Sequence, residues 1–285
     1  MNRLSTAKRS QIVAALVEGN SVRATCRMTG VAKGTVLSLL VDLGAACERY
    51  QDRVLRNLKC RRIQCDEQWQ YVYAKAKNVP ESMKGAVGVG DVWTWIALDA
   101  DTKLVPTWAL GRRDGFTATA FIADLADRLA TRVQLTTDGH KPYLEAVEGA
   151  FGNDIDYAML VKLYETDSGG KRASAERRYS PARCAGTRTQ KIVGNPEDRY
   201  ISTSYIERQN LTVRMSCRRF TRLTNAFSKK LDNHKAAVAL HFMHYNFARI
   251  HQTLRVTPAM EAGVSDHVWS IEEIVGLLET ERGSN

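Results

Sequence analysis

Through about the first 58 residues the apolar positions recur at helical spacing. Ile12, Val13, Leu16 and Val17 form one stripe of a helix that Ser5 or Thr6 can cap and that Gly19-Asn20 ends. Ser21 then caps a short helix, VRATCRM, and Thr29-Gly30-Val31 makes a tight turn. A third helix follows from about Lys33, with Val36, Leu39, Leu40 and Leu43 on one side. Two short helices joined by a glycine-containing turn are the helix-turn-helix pattern, and Ala24 is small where they must cross. Lys33, Thr35 and Ser38 lie near the start of the third helix, where contacts to bases and phosphates would come from. The expectation is a DNA-binding domain over residues 1–58; the plainer alternative is a three-helix knob that only packs on the rest. Residues 47–61 read as a charged helix or linker.

The period then changes. Residues 62–76 place apolar and aromatic side chains at alternate positions, as a strand does, and 89–100 and 103–113 read as two more strands joined by the turn Asp99-Ala100-Asp101-Thr102. An amphipathic helix (116–130), a buried strand ending on Asp138 (132–139), a helix (140–151) and a strand (157–165) follow, and from about 204 to 250 the pattern is helical again. The order β-β-β-α-β-α-β-α predicts an α/β chain of the RNase H-like type, a mixed central sheet with helices on both faces, over residues 59–265. Residues 266–285 form a helical tail, where Ser270 and Glu273 make a capping box. Between Tyr164 and Tyr200 the pattern fails: eight bases oppose five acids with few large apolar side chains. This segment, 165–200, is expected to be a mobile basic insertion whose Arg177, Arg178 and Arg183 touch DNA backbone.

Charge strengthens that reading. Forty-one Lys and Arg against 31 Asp and Glu leave a formal charge of +10, which favours a polyanionic partner, double-stranded DNA first. No apolar run reaches the roughly 20 residues that span a bilayer, and the opening residues lack a signal-peptide core. Membrane and secreted locations are therefore not expected, and a cytoplasmic one is, with the six cysteines as reduced thiols.

Three carboxylates stand out. Asp66 is mid-strand among apolar neighbours, where a charge is costly unless compensated. Asp138 ends a strand in TTDG, and Glu207 opens a helix. Each has a dull explanation alone, as a turn former or a helix-dipole partner. Together they fall on the first strand, the fourth strand and the last core helix, which this fold would bring to one point. Phosphodiester chemistry with two divalent ions roughly 3.5–4 Å apart needs such hard oxygen ligands. Glu67 is the rival of Asp66; successive strand residues point to opposite faces, so only one of them is expected to reach the site.

CDEQWQYVYAK (65–75), TTDGHKPYLE (136–145), YIERQNLTVR (205–214) and FSKKLDNHKAAVALHFMHYN (227–246) resemble the transposases of the bacterial insertion element IS-one. The resemblance covers about residues 60–250 and implies a DDE catalytic domain in which Asp66, Asp138 and Glu207 hold Mg²⁺ or Mn²⁺, two ions per site. It implies 3′-end cleavage at terminal inverted repeats and strand transfer to target DNA, by a homodimer or higher oligomer on DNA. Asn210 and Arg214, at i+3 and i+7 from Glu207, would support it or hold phosphate. Two departures accompany the likeness: 68 residues separate Asp138 from Glu207, which the 165–200 insertion accounts for, and the family's N-terminal zinc finger has no ligand set here. Arg208, Arg214, Arg218 and Arg219 continue a basic surface with Phe220 and Phe227 interleaved. The alternatives are a non-catalytic DNA-binding repressor and an RNase H-like nuclease without strand transfer. His241, His244 and His251 are expected to pack or contact phosphate, and Asp99 and Asp101 to form a turn.

Overall fold

The computed structural model describes residues 4–164, 184–221 and 224–280. Arg177, Arg178 and Arg183, on which the expected DNA contacts of the insertion rest, lie outside the described residues.

Three helices open the chain: α1 (Thr6–Val17), α2 (Val22–Thr29) and α3 (Lys33–Val54). Ser5 caps α1 and Ser21 caps α2, each hydroxyl accepting a backbone N–H from three residues on, at 3.3 and 3.1 Å. Gly30 ends α2 at φ +69°, a left-handed conformation that costs glycine little, and the axes of α2 and α3 then differ by 114°. Three residues, Gly30 to Ala32, make that turn. Helix α3 continues well past the apolar stripe read from the sequence, through the charged stretch after Cys47. It lies along α7 (Leu231–Met243), and a Cβ on Gly44 would come within 2.5 Å of Ala236 Cα, so the glycine permits the close crossing.

The sheet has six strands in the order β3-β2-β1-β4-β5-β6: β1 (Arg62–Val72), β2 (Gly90–Asp99), β3 (Trp108–Gly111), β4 (Gln134–Thr137), β5 (Asp156–Tyr164) and β6 (Cys184–Val193). β1, β2 and β3 form the antiparallel meander, while β4 and β5 run parallel to β1, the RNase H-like arrangement. Helices α4 (Gly115–Arg128) and α5 (Pro142–Phe151) pack together beside the sheet, and α6 (Ser204–Ser216) contacts β1 and β2. Trp95, Phe121, Tyr143, Tyr157, Phe242 and Phe247 are the largest wholly buried side chains of a core that also includes Ile12, Val36 and Leu43 of the N-terminal helices. After a π-helical turn (His244–Ala248) and the short α8 (Pro258–Glu261), α9 (Ile271–Thr280) buries Ile274 and Val275 and contacts α1 and α3. Its Ser270–Glu273 capping box is formed.

Two expectations fail here. The strand expected over 103–113 is only four residues long, because Pro106 has no N–H to give to a ladder. Leu104 and Thr107 still accept from Asp99 and Ala97, so the stretch follows β2 without being regular. The second failure is the insertion. Residues 184–193 are not a mobile loop but β6, antiparallel to β5 with Val161 opposite Arg188 and Ala158 opposite Lys191. None of its side chains is buried, so no apolar alternation marked it. Backbone hydrogen bonds hold it, and its charges suit an edge strand.

Candidate functional site

The acidic residues meet where β4 stops. Cys65 opposite Thr137 is the last β1–β4 pair; Asp66 is the next residue of β1, and Asp138 the first residue beyond β4. Asp138 Oδ1 accepts the His140 N–H at 2.9 Å, so the carboxylate closes its own turn.

Helix α6 is seated on β1 by a polar ladder. Gln64 Oε1 accepts from the backbone N–H groups of Tyr205 and Ile206, both at 3.0 Å, and so caps the helix from across the fold. Two residues along, Asp66 Oδ2 accepts from Asn210 Nδ2 at 2.7 Å, and two further along, Gln68 Nε2 donates to the Asn210 carbonyl at 3.3 Å. Gln70 Nε2 donates to the Arg219 carbonyl. The period-two spacing of 64, 66, 68 and 70 puts all four on one face of the strand. This register brings Glu207 to the cleft that Asp66 and Asp138 line, a space of about 690 Å³. Glu207 Oε1 accepts from Thr203 Oγ1 at 2.5 Å and from the Lys162 ammonium.

Glu67 is the surprise. Its side chain is fully buried on the other face, yet Asp66, Glu67 and Asp138 each offer a carboxylate oxygen within 4.8 Å of the others. Glu67 therefore reaches the site as well as Asp66, against the alternation argument. β4 has ended, and no neighbouring strand divides the two faces beside Asp138. Arg113, just after β3, joins these groups: Nε donates to Glu67 Oε2 at 3.1 Å and Nη2 to Asp138 Oδ2 at 3.3 Å, with the guanidinium 5.1 Å from the Trp93 ring centre.

The acids disturb one another. Burial, then the charges of Asp138 and Glu207, push Asp66 up to about 7. Burial, then Asp138, push Glu67 up to about 7 as well. Glu67 Oε1 is buried, and the nearby Tyr143 hydroxyl offsets that burial only in part. A buried carboxylate beside two more carboxylates is the donor set a hard divalent cation fits. Asp66, Asp138 and Glu67 are positioned to hold one, with Glu207 across the cleft.

The other sequence candidates are scattered. Lys33, Thr35 and Ser38 are exposed together at the start of α3. Asn210 is buried and bonded to Asp66 rather than to Glu207. Arg208 is exposed, while Arg214 and Arg218 are half-buried. Arg219 turns inward, with Nε on Ser228 Oγ at 2.6 Å, and burial lowers its pKa. His241 is buried, as packing requires, and Asp99 caps its turn through Thr102 and the Asp101 N–H. Arg113, Lys162 and Thr203 were missed, since nothing in their local pattern marks them; the alternating Gln64, Asp66, Gln68 and Gln70 was a signal available in the sequence.

No protein-family model matches this chain. No curated protein matches it in sequence. Among solved structures, it is similar to the Mos1 transposase in a paired-end complex with the left transposon end, at 12% identity over 52% of this chain and 58% of that one, TM-score 0.22. A pre-cleavage Mos1 transpososome matches at 11% identity over 55% and 60%, TM-score 0.21. The piggyBac transposase in a synaptic complex with hairpin DNA matches at 10% identity over 98% and 70%, TM-score 0.39. The chain thus spans less than two thirds of the length of the two Mos1 chains. With overlap this low, the fold assignment rests on the chain's own sheet order, and its chemistry on its own side chains.

Proposed function

We propose that the chain is a metal-dependent DNA transposase that cuts phosphodiester bonds at the ends of an insertion sequence and joins them to target DNA. The observation that carries this reading is the carboxylate cluster at the end of β4, in the middle of an RNase H-like sheet and beneath a helix bearing basic residues. Asp66, Asp138 and Glu207 are the metal-binding residues in this reading, with Glu67 close enough to share the load. Mg²⁺ or Mn²⁺ would neutralise the non-bridging phosphate oxygens and activate the attacking water or 3′-hydroxyl. The remaining work belongs to the chain. Asn210 fixes the orientation of Asp66. Thr203 and Lys162 hold Glu207, and Arg113 anchors Asp138 while presenting positive charge to the cleft. Lys33, Thr35 and Ser38 would read the terminal repeats from the exposed start of α3. Cutting and joining two ends calls for at least a dimer.

One observation favours a second reading. Arg113 and Lys162 already neutralise acids of the cleft, as they would in a repressor that binds DNA and never loads metal. The test is incubation of the full chain with duplex DNA carrying the sequences that flank its gene, in Mg²⁺, in Mn²⁺ and in excess chelator. The expected result is metal-dependent 3′-end cleavage followed by joined products. Binding without cleavage under any cation supports the repressor; cleavage without joining supports a nuclease; full turnover in chelator overturns the metal-dependent reading.

A further inference from the structure

Helix α6 has two working sides. At about 100° per residue, Glu207 and Asn210 face the carboxylates, while Tyr205, Arg208 and Gln209 turn roughly the other way. There they line a second cleft, of about 330 Å³, together with Lys103, Arg249 and His251. Among the described residues, no carboxylate lines it. Three cations line it, and Asp101 and Asp99, the acids that act on Lys103, lie outside the cleft. Arg249 Nη1 donates to Ser216 Oγ at 2.8 Å, and Lys103 donates to the Ala100 carbonyl with its ammonium 3.7 Å from the Tyr205 ring centre. The His251 imidazole feels this field: burial first, then Lys103, Arg249 and Arg208, lower its pKa.

A second observation points to a ligand. Gln209 is 3% exposed, and among the described residues its Nε2 has no hydrogen-bond acceptor. A buried amide N–H left without an acceptor is costly, and it lies in the wall of the cleft, where a small side-chain rotation would offer it to an anion. One face of the Tyr205 ring is covered by the Lys103 ammonium, and the three cations of the lining suit a compact oxyanion.

We propose that this cleft is a phosphate site that takes one backbone phosphate of DNA, on the side of α6 away from the carboxylates. The inference rests on the reading that DNA is the partner. A duplex lying across α6 meets cations on one flank of the helix and the acidic cleft on the other, so the strand is held on both sides of Glu207.

The test uses the full-length chain and a fluorescent duplex in chelator, with affinity measured from 50 to 200 mM salt. Lys103→Gln and Arg249→Gln should each lower the slope of log affinity against log salt by about one, as loss of one neutralised phosphate does. Gln209→Glu keeps the side-chain shape and places a negative charge against the phosphate; affinity should fall at least about tenfold, measured well below the variant's own melting transition because a buried carboxylate lowers stability. Inorganic phosphate, titrated into wild type and Gln209→Glu, separates the sources. If phosphate binds only wild type while DNA slopes stay the same in all variants, the cleft serves a free anion and the DNA assignment is overturned. Unchanged slopes and affinities in every variant, or no binding of wild type to duplex, also overturn it. Because the measurement needs no cleavage, the two readings separate. Altered slopes in a chain that never cuts sink only the enzyme reading; unaltered slopes in a chain that cuts in Mg²⁺ sink only the phosphate site.

Discussion

At the scale of the residue, the site stores repulsion. Asp66 has an ordinary value of 3.8 and stands near 7 in the fold. Between those pH values the unfolded chain has released the proton and the folded chain still holds it, so stability falls as pH rises from about 4 to about 7 and stays low above. In chelator, the melting temperature should therefore drop over this range, and Asp66→Asn should flatten the drop. At pH 8 the variant should melt at least about 2–4 °C above wild type, the shift that roughly 1 kcal/mol makes in a chain of this size. Mg²⁺ should raise the melting temperature of wild type and do little for the variant; a variant that melts lower at pH 8 would mean Asp66 is comfortable as a charge. Asn210→Ala removes the hydrogen bond that orients Asp66 without removing a ligand. It should weaken Mn²⁺ binding by about 10–100-fold in calorimetry, the usual cost of losing such a support. An unchanged affinity would place Asn210 outside the site's support.

At the scale of the element, much was legible where one face of an element is apolar. α1, α2, β2, α4 and β4 follow their stripes, because burial selects one register. What escaped had no such stripe. β6 buries no side chain, and β3 was cut short by a proline whose neighbours look like a strand. Asp66 and Asp138 were legible as acids in apolar strands, whereas Arg113 reaches them from a loop after an edge strand and left no periodic trace. Glu67 was excluded by an alternation rule that holds within a sheet and lapses where β4 ends. The α3–α7 crossing can be tested through its glycine. Gly44→Ala puts a Cβ into Ala236 backbone and should cost about 1–3 kcal/mol of stability. Gly34→Ala, in the same helix with nothing within 4 Å, should instead stabilise by up to about 1 kcal/mol. Thermal melts of the two variants check the pair, and equal effects would contradict the close crossing.

At the scale of the whole molecule, the N-terminal helices and the sheet share a core. Gln51 of α3 donates to the Ala239 carbonyl of α7 at 3.2 Å, and α9 closes over α1 and α3. DNA bound at the start of α3 would thus be carried by the same body that holds the carboxylates. Lys33→Ala and Thr35→Ala in the full chain should weaken binding to the element's ends more than to random duplex, measured by competition at physiological salt; equal losses would place end recognition elsewhere. The central claim is that the acids at the end of β4 act on DNA rather than merely bind or fold. The most direct measurement is cleavage and binding of the same end-bearing duplex, side by side, by wild type and Asp138→Ala in Mg²⁺. The account predicts that the variant loses cleavage and keeps nearly all its affinity, since the lost charge serves a cation and not the DNA. Cleavage at the wild-type rate, or parallel loss of binding and cleavage in a variant that melts normally, would contradict it.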